Sequence, residues 1–254
     1  MAEVVKSPYV LGVFPYLPPV RLEKLYGPVA ADFSAALGRP IHFRTKSDFE
    51  TFAQELAAQR YDIALLQPFD YVEAFDRYGY LPLARRPEPL AAVLMIKMDS
   101  PLEKLSDLKG KTVALPPKRA AVSRLLTAHL QAAGETTVTW RHYKNHTSCL
   151  QAVITGGADA CGSALLPVRS FETSQGVLLR KLVETPAIAP VLFAVHSRVP
   201  RKEQEALLQR ILSWGSHASG RQLLSVIGTG QAFVRTQDHD YESVRRYAAV
   251  PVQK

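Results

Sequence analysis

The sequence predicts an α/β protein of two lobes, each containing an open mixed sheet flanked by helices. Short apolar strands alternate with amphipathic helices in two separate blocks, and two strand-like stretches, near 91–98 and 189–196, join the blocks. These two connections predict a two-strand hinge. We therefore expect residues 1–92 plus 196–254 to form lobe 1, residues 93–195 to form lobe 2, and a ligand-binding cleft to lie between them.

The first block alternates three strands with three helices. Apolar runs at 10–14, 41–44 and 61–66 predict the strands, and the helical spacing of the apolar residues that follow each run predicts the helices. Open α/β sheets bind ligands at the carboxyl ends of their strands. The loops that contain Tyr16 and Gln67 are therefore candidate binding loops.

The second block repeats this alternation. Strands are predicted at 112–115, 137–142 and 158–164, and helices at 122–130 and 149–155. Neither block is long enough to be the whole molecule, so the pattern predicts two lobes rather than one large sheet.

Composition is typical of a folded globular protein, with 47% hydrophobic and 21% charged residues. The formal net charge of +8 is compatible with an acidic partner, whether nucleic acid, an anionic surface or a small anion. The basic residues are spread along the chain and form only short pairs, without the Lys/Arg-rich tract of a nucleic-acid arm. We therefore do not expect nucleic-acid binding.

Five segments carry a resemblance to a known family: LGVFPY, PVAADFSAALGRPIHFR, YDIALLQPFDYVEAF, SPLEKLSDLKGKTVAL and HTSCLQAVITGGADAC. In order and spacing they resemble the phosphate/phosphonate-type substrate-binding proteins of ABC transporters. The resemblance covers nearly the whole chain and implies the type II periplasmic-binding fold. It also implies that an oxyanion is held by hydroxyls and helix N-terminal amides of lobe 2 and by side chains of lobe 1, including a tyrosine.

The resemblance implies a binding protein rather than an enzyme, with no cofactor, no metal site and no catalytic residue. Its partners would be a small, anionic ligand and an ABC permease or membrane sensor, and we expect a monomer. No apolar run approaches the roughly 18 residues that span a bilayer, and the N-terminus lacks the pattern of a secretory leader. We expect a periplasmic or extracytoplasmic location, with the signal peptide not part of this sequence.

The strongest candidate contacts are His146, Thr147 and Ser148, which fall between a predicted strand and a predicted helix. A helix N-terminus offers unpaired N–H groups and a partial positive charge, which together favour an oxyanion. The alternative is that Thr147 or Ser148 only caps the helix. The adjacent histidine and the family position favour ligand binding.

The turn after the strand at 112–115 departs from the family pattern. The family has a Ser/Thr-rich turn here, whereas this sequence has Pro116-Pro117-Lys118-Arg119 and no hydroxyl until Ser123. Either Lys118 or Arg119 replaces neutral donors with charge-assisted hydrogen bonds to an oxyanion, or both are solvated residues of the first helical turn. This departure leaves the head group of the ligand open.

Four further residues complete the candidate site. Tyr16 follows the first strand, and Gln67 and Tyr71 follow the third, where the cleft is expected. Tyr71 matches the family's tyrosine in PFDYVEA, although a tyrosine on an amphipathic helix also packs in the core. Ser163 ends the last strand of the second block and is the remaining candidate contact.

Cys149 raises an enzymatic alternative. A thiol in the first turn of a helix, three positions from His146, could act as a nucleophile or bind an arsenical. The chain would then be a thiol-dependent enzyme or an arsenical-binding sensor on the same scaffold. The competing interpretation makes Cys149 and Cys161 buried apolar residues of the core. A cytoplasmic effector-binding regulator is a third class, but no helix-turn-helix segment supports it.

Overall fold

The computed structural model describes residues 7–134 and 137–248. The strands are β1 (Tyr9–Val13), β2 (Ile41–Arg44), β3 (Ile63–Leu66), β4 (Tyr80–Arg85), β5 (Val93–Lys97), β6 (Thr112–Leu115), β7 (Thr139–His142), β8 (Ala160–Ser163), β9 (Leu179–Glu184), β10 (Leu192–His196) and β11 (Val234–Arg235). The α-helices are α1 (Pro19–Leu37), α2 (Phe49–Ala57), α3 (Pro68–Tyr78), α4 (Ala121–Ala132), α5 (His146–Ile154), α6 (Leu165–Gln175), α7 (Arg201–Ser213), α8 (Ala218–Val226) and α9 (Glu242–Ala248).

The described residues divide into two compact units. Unit 1 comprises residues 7–89 and 189–245, and unit 2 comprises residues 90–134, 137–188 and 246–248. Each unit contains its own mixed sheet, as the sequence predicts. Among the described residues, no helix is both long enough and apolar enough to cross a membrane.

The sheet of unit 1 has the strand order β11-β4-β10-β3-β1-β2. Strands β2, β1 and β3 are parallel, and β10 is antiparallel to both β3 and β4. Strand β4 therefore runs in the same direction as β1 and β3. The carboxyl ends of these strands, which are followed by Tyr16, Gln67 and Arg86, consequently share one edge of the sheet.

The sheet of unit 2 has the strand order β7-β6-β8-β5-β9. Strands β7, β6 and β8 are parallel, and β5 is antiparallel to β8 and β9. Helix α5 packs on this sheet through buried residues that include Cys149, Leu150 and Val153. This packing brings the first turn of α5 beside the end of β8.

The division between the units differs from the expected boundaries on the return crossing. Residues 93–195 were expected to form lobe 2, but β10 pairs with β3 and β4 inside the sheet of unit 1. Its residues Leu192 to Val195 are fully buried. An apolar run predicts burial in a sheet but carries no information about which sheet it joins, because pairing depends on the tertiary fold.

Candidate functional site

The first turn of α5 is capped by Asn145, immediately before His146. Asn145 Oδ1 accepts the Ser148 backbone N–H at 2.9 Å, and the Asn145 backbone N–H donates to Ser148 Oγ at 3.3 Å. The Ser148 hydroxyl also donates to the Asn145 carbonyl oxygen at 3.0 Å. This is a reciprocal capping box. The hydroxyl of Ser148, a predicted ligand contact, is therefore engaged in capping the helix. The sequence analysis did not identify Asn145 as the N-cap, although the Asn-x-x-Ser spacing indicates it.

His146 is the first residue of α5 and is only 6% exposed. Its imidazole Nδ1 lies 2.8 Å from Ser163 Oγ at the end of β8. Burial lowers the pKa of His146 from 6.5 to about 4, so the ring is neutral at pH 7. Ser163 is fully buried and contacts the ring directly, which makes it a positioning residue for His146.

The hydroxyl and backbone N–H of Thr147, beside His146, make no hydrogen bond to any described residue. Its side chain is half-buried, and within 7–134 and 137–248 no hydrogen-bond partner is found for its hydroxyl. The same holds for the backbone N–H groups of His146 and Thr147, whereas those of Ser148 and Cys149 are bonded to Asn145. Aligned free N–H groups at a helix N-terminus are anion donors. The start of α5 is therefore a candidate anion half-site in unit 2.

Cys149 and Cys161 form a disulfide between α5 and β8, with Cα atoms 5.9 Å apart. Both residues are fully buried. Cys149 follows His146 by three positions, and Cys161 precedes Ser163 by two, so the disulfide joins the same helix and strand as the His146–Ser163 contact. The bonded Cys149 has no free thiol, and the thiol-dependent enzyme and arsenical-sensor alternatives therefore lose the group on which they rested.

Residues 116–119 form the turn between β6 and α4, so they do not belong to the first turn of the helix. Lys118 is exposed and Arg119 is half-buried, and both precede the N-cap residue Ala120. The first hydroxyl of α4, on Ser123, donates to the Pro116 carbonyl oxygen at 3.0 Å and so is already bonded. Both basic residues remain predicted contacts, with the Lys118 side chain exposed to solvent and that of Arg119 half-buried.

In unit 1, Tyr16 is half-buried after β1, and its hydroxyl lies 3.1 Å from that of Tyr26. Burial raises the pKa of Tyr16 well above its ordinary value, and the positive charge of Arg86 opposes this shift. The tyrosine is therefore a neutral hydroxyl at pH 7. It lies at the carboxyl edge of the sheet, as predicted.

Gln67 and Tyr71 are both engaged with neighbouring residues of unit 1. Gln67 is 2% exposed, and its Nε2 donates to Asp70 Oδ2 at 2.8 Å. Tyr71 is fully buried, and its hydroxyl donates to Asp238 Oδ1 at 3.0 Å. Burial and the Asp238 carboxylate raise the pKa of Tyr71. Tyr71 therefore connects α3 to the segment before α9 through the core of unit 1.

The chemistry available at the start of α5 is binding chemistry. The site offers a neutral imidazole, a threonine hydroxyl and two backbone N–H groups. Together these groups can stabilise the negative charge of a bound anion. No group of three or more His, Cys, Asp or Glu side chains suited to a metal ion occurs in the described part of the chain. These groups are therefore suited to binding an anion.

Comparison with solved structures identifies proteins of the same fold. A binding component of a phosphonate ABC transporter from Pseudomonas aeruginosa aligns with a TM-score of 0.84 at 15% identity, over 95% of this chain and 85% of that chain. PhnD1 from Prochlorococcus marinus, solved with methylphosphonate, aligns with a TM-score of 0.83 at 14% identity, over 95% and 97%. A Xanthomonas citri protein solved with ATP aligns with a TM-score of 0.76 at 15% identity, over 96% of each chain.

Comparison with curated protein sequences finds no significant match. The family model for the phosphonate periplasmic substrate-binding protein of ABC transporters matches residues 11–241, which is most of the sequence. That family consists of binding proteins and not enzymes. The mixed sheets agree with the type II periplasmic-binding fold of the solved relatives. The chain belongs to the family of phosphonate periplasmic substrate-binding proteins of ABC transporters.

Proposed function

We propose that this protein binds a small phosphonate or a related oxyanion at the N-terminus of α5 and delivers it for ABC import or sensing. The observation that carries the proposal is the neutral His146, which contacts Ser163 at 2.8 Å beside the unengaged groups of Thr147. A hydrogen-bond donor of fixed orientation next to free helix N–H groups suits a tetrahedral oxyanion.

The position of the proton on the neutral His146 ring depends on the direction of the Ser163 hydroxyl, whose Oγ also lies 3.4 Å from the Ala164 carbonyl oxygen. If the Ser163 hydroxyl donates to Nδ1, the neutral ring carries its proton on Nε2, which then donates to the ligand. We propose His146 and Thr147 as direct contacts, with Tyr16 and Arg119 as further contacts. Gln67, Tyr71, Ser148 and Ser163 act through the neighbouring residues to which they are bonded, and Lys118 contributes only its charge.

The family and the disulfide support a proposal about location and partners. The family is extracytoplasmic and associates with ABC transporters. Disulfides persist in oxidising compartments, so the Cys149–Cys161 bond favours an extracytoplasmic location for this chain as well. We propose that the protein works as a monomer and presents its ligand to an ABC permease or a membrane sensor.

A thermal-shift screen followed by isothermal titration tests the function. The panel contains methylphosphonate, phosphate, phosphite, sulfate, a carboxylate and ATP. Small organic cations serve as negative controls. Methylphosphonate is included because a solved relative holds it, and ATP because another does. We expect stabilisation by at least one oxyanion, because a ligand that binds only the folded state raises its melting temperature. Stabilisation by cations alone would refute the proposal.

The site is tested with a His146→Ala, Thr147→Ala double variant. Its matched control is Thr155→Ala at the opposite end of α5, where the hydroxyl donates to Gln151. We expect the double variant to bind the selected oxyanion at least about tenfold more weakly, since it loses two polar contacts worth about 1 kcal/mol each. The control should bind like the wild type. Equal affinities for the double variant and the wild type would exclude the α5 site.

A further inference from the structure

Within residues 7–134 and 137–248, the guanidinium group of Arg86, directly after β4, has no carboxylate partner. Its Nη2 donates to the Ile227 carbonyl oxygen at 3.0 Å, and its backbone N–H donates to the Val191 carbonyl oxygen at 3.1 Å. Its Nε is buried and makes no hydrogen bond to any residue that the structure describes. A single carbonyl oxygen satisfies one of the five N–H groups of the guanidinium and does not neutralise its charge.

The other half-buried arginines of unit 1 behave differently. Four of them lie within 4 Å of at least one carboxylate, as expected for charges that are partly removed from water. These pairs are Arg39–Glu203, Arg85–Asp240, Arg210–Asp32 and Arg245–Asp238. Within the described part of unit 1, Arg86 is the half-buried arginine that lacks such a pair. A charge left unpaired in this way is a candidate contact for an anionic ligand.

The position of Arg86 agrees with ligand binding. Strand β4 runs parallel to β1 within the sheet of unit 1, so Arg86 and Tyr16 both follow carboxyl ends at the same edge. Its positive charge also acts on the Tyr16 hydroxyl, where it opposes the larger effect of burial on the tyrosine pKa. The guanidinium and the neutral hydroxyl therefore belong to residues at the same edge of the sheet, the edge where open α/β sheets bind ligands.

We propose that Arg86 supplies the positive charge with which unit 1 binds an acidic oxygen of the ligand, and that the Tyr16 hydroxyl assists it. This inference rests on the proposed oxyanion-binding function and assigns a cationic ligand contact to unit 1. A guanidinium forms short charge-assisted hydrogen bonds to phosphonate, phosphate or carboxylate oxygens. The bond to Ile227 holds the guanidinium in place for this contact.

The test is isothermal titration of methylphosphonate, or of the oxyanion that the screen selects, into four variants. R86Q removes the charge, R86K keeps the charge but loses the planar fork, and Y16F removes the hydroxyl. The matched control is R235Q, which removes one positive charge from an exposed arginine that pairs with Glu205 in the same unit. Melting temperatures of all variants are measured without ligand.

We expect R86Q to weaken binding at least tenfold, R86K and Y16F about threefold or more, and R235Q less than twofold. R86Q binding within twofold of the wild type, or an equal loss in R235Q, would overturn the role of Arg86. If R86Q does not fold, R86K and Y16F replace it in the test, and binding within twofold of the wild type by both variants would overturn the role of Arg86. A wild type that binds no oxyanion would instead refute the proposed function itself, so the two failures are distinguishable.

Discussion

Ser163 Oγ and His146 Nδ1 lie 2.8 Å apart and connect the end of β8 to the first residue of α5. This contact fixes the direction of the imidazole. The Ser163→Ala variant should therefore bind methylphosphonate about three- to tenfold more weakly, since one hydrogen bond worth about 1 kcal/mol is lost. The loss should be smaller than in His146→Ala, which removes the ring itself.

Ser174→Ala is the control for this substitution. Ser174 is an exposed residue of α6, and its hydroxyl donates to the Phe171 carbonyl oxygen at 3.0 Å. Titration should give this variant the affinity of the wild type. A Ser163→Ala variant with unchanged affinity would show that the serine does not position His146.

The buried His146 also predicts how stability depends on pH. Its pKa falls from 6.5 in the unfolded chain to about 4 in the folded one, because burial disfavours the charged ring. Its contribution is therefore complete above about pH 6.5 and is lost as the pH falls towards 4, where protonation favours the unfolded chain. The total change is on the order of 3 kcal/mol.

Urea unfolding between pH 7 and pH 4 measures this contribution. Carboxylates also titrate in this range, so the wild type is compared with His146→Gln, which retains a polar side chain but cannot be protonated. The free energy of unfolding of the wild type should fall more steeply with acid than that of the variant. Parallel curves for the two proteins would show that His146 is not buried as a neutral ring.

The start of α5 shows how far the sequence alone leads to the site. His146 and Thr147 were predicted there because hydroxyl-bearing residues between a strand and a helix are typical of a helix N-terminus. The cap, however, is Asn145, and Ser148 is its partner. The predicted helix also began later, at 149, because apolar periodicity does not reveal a polar first turn.

Contacts between distant segments were beyond sequence reasoning. Arg85 and Arg86 form a basic pair in the sequence, but only the fold brings Asp240 near Arg85 and leaves Arg86 without a carboxylate. Cys149 and Cys161, twelve positions apart, were interpreted as a reactive thiol or as buried core residues, and only the fold shows that they form a disulfide. In each case the outcome depends on which strands and helices become neighbours.

Tyr71 is expected to act through stability rather than through ligand contact. Its hydroxyl donates to Asp238, and Asp238 also pairs with Arg245 at 2.9 Å. The Tyr71→Phe variant should lose about 1–2 kcal/mol of unfolding free energy, because a buried hydrogen bond to a charged group is removed. Its affinity for methylphosphonate should stay within twofold of the wild type. A large loss of affinity with unchanged stability would make Tyr71 a ligand contact instead.

The disulfide predicts that Cys149 and Cys161 stabilise the fold and do not act as reactive thiols. A Cys149→Ala, Cys161→Ala double variant should lose about 3 kcal/mol of unfolding free energy, as expected for a bond that closes a short loop. Addition of a reductant should destabilise the wild type and leave the double variant unchanged. In the denatured, unreduced wild type, a thiol reagent should find no free thiol, because both cysteines of the sequence are bonded. Two reactive thiols in that assay would contradict the disulfide and restore Cys149 as a candidate nucleophile.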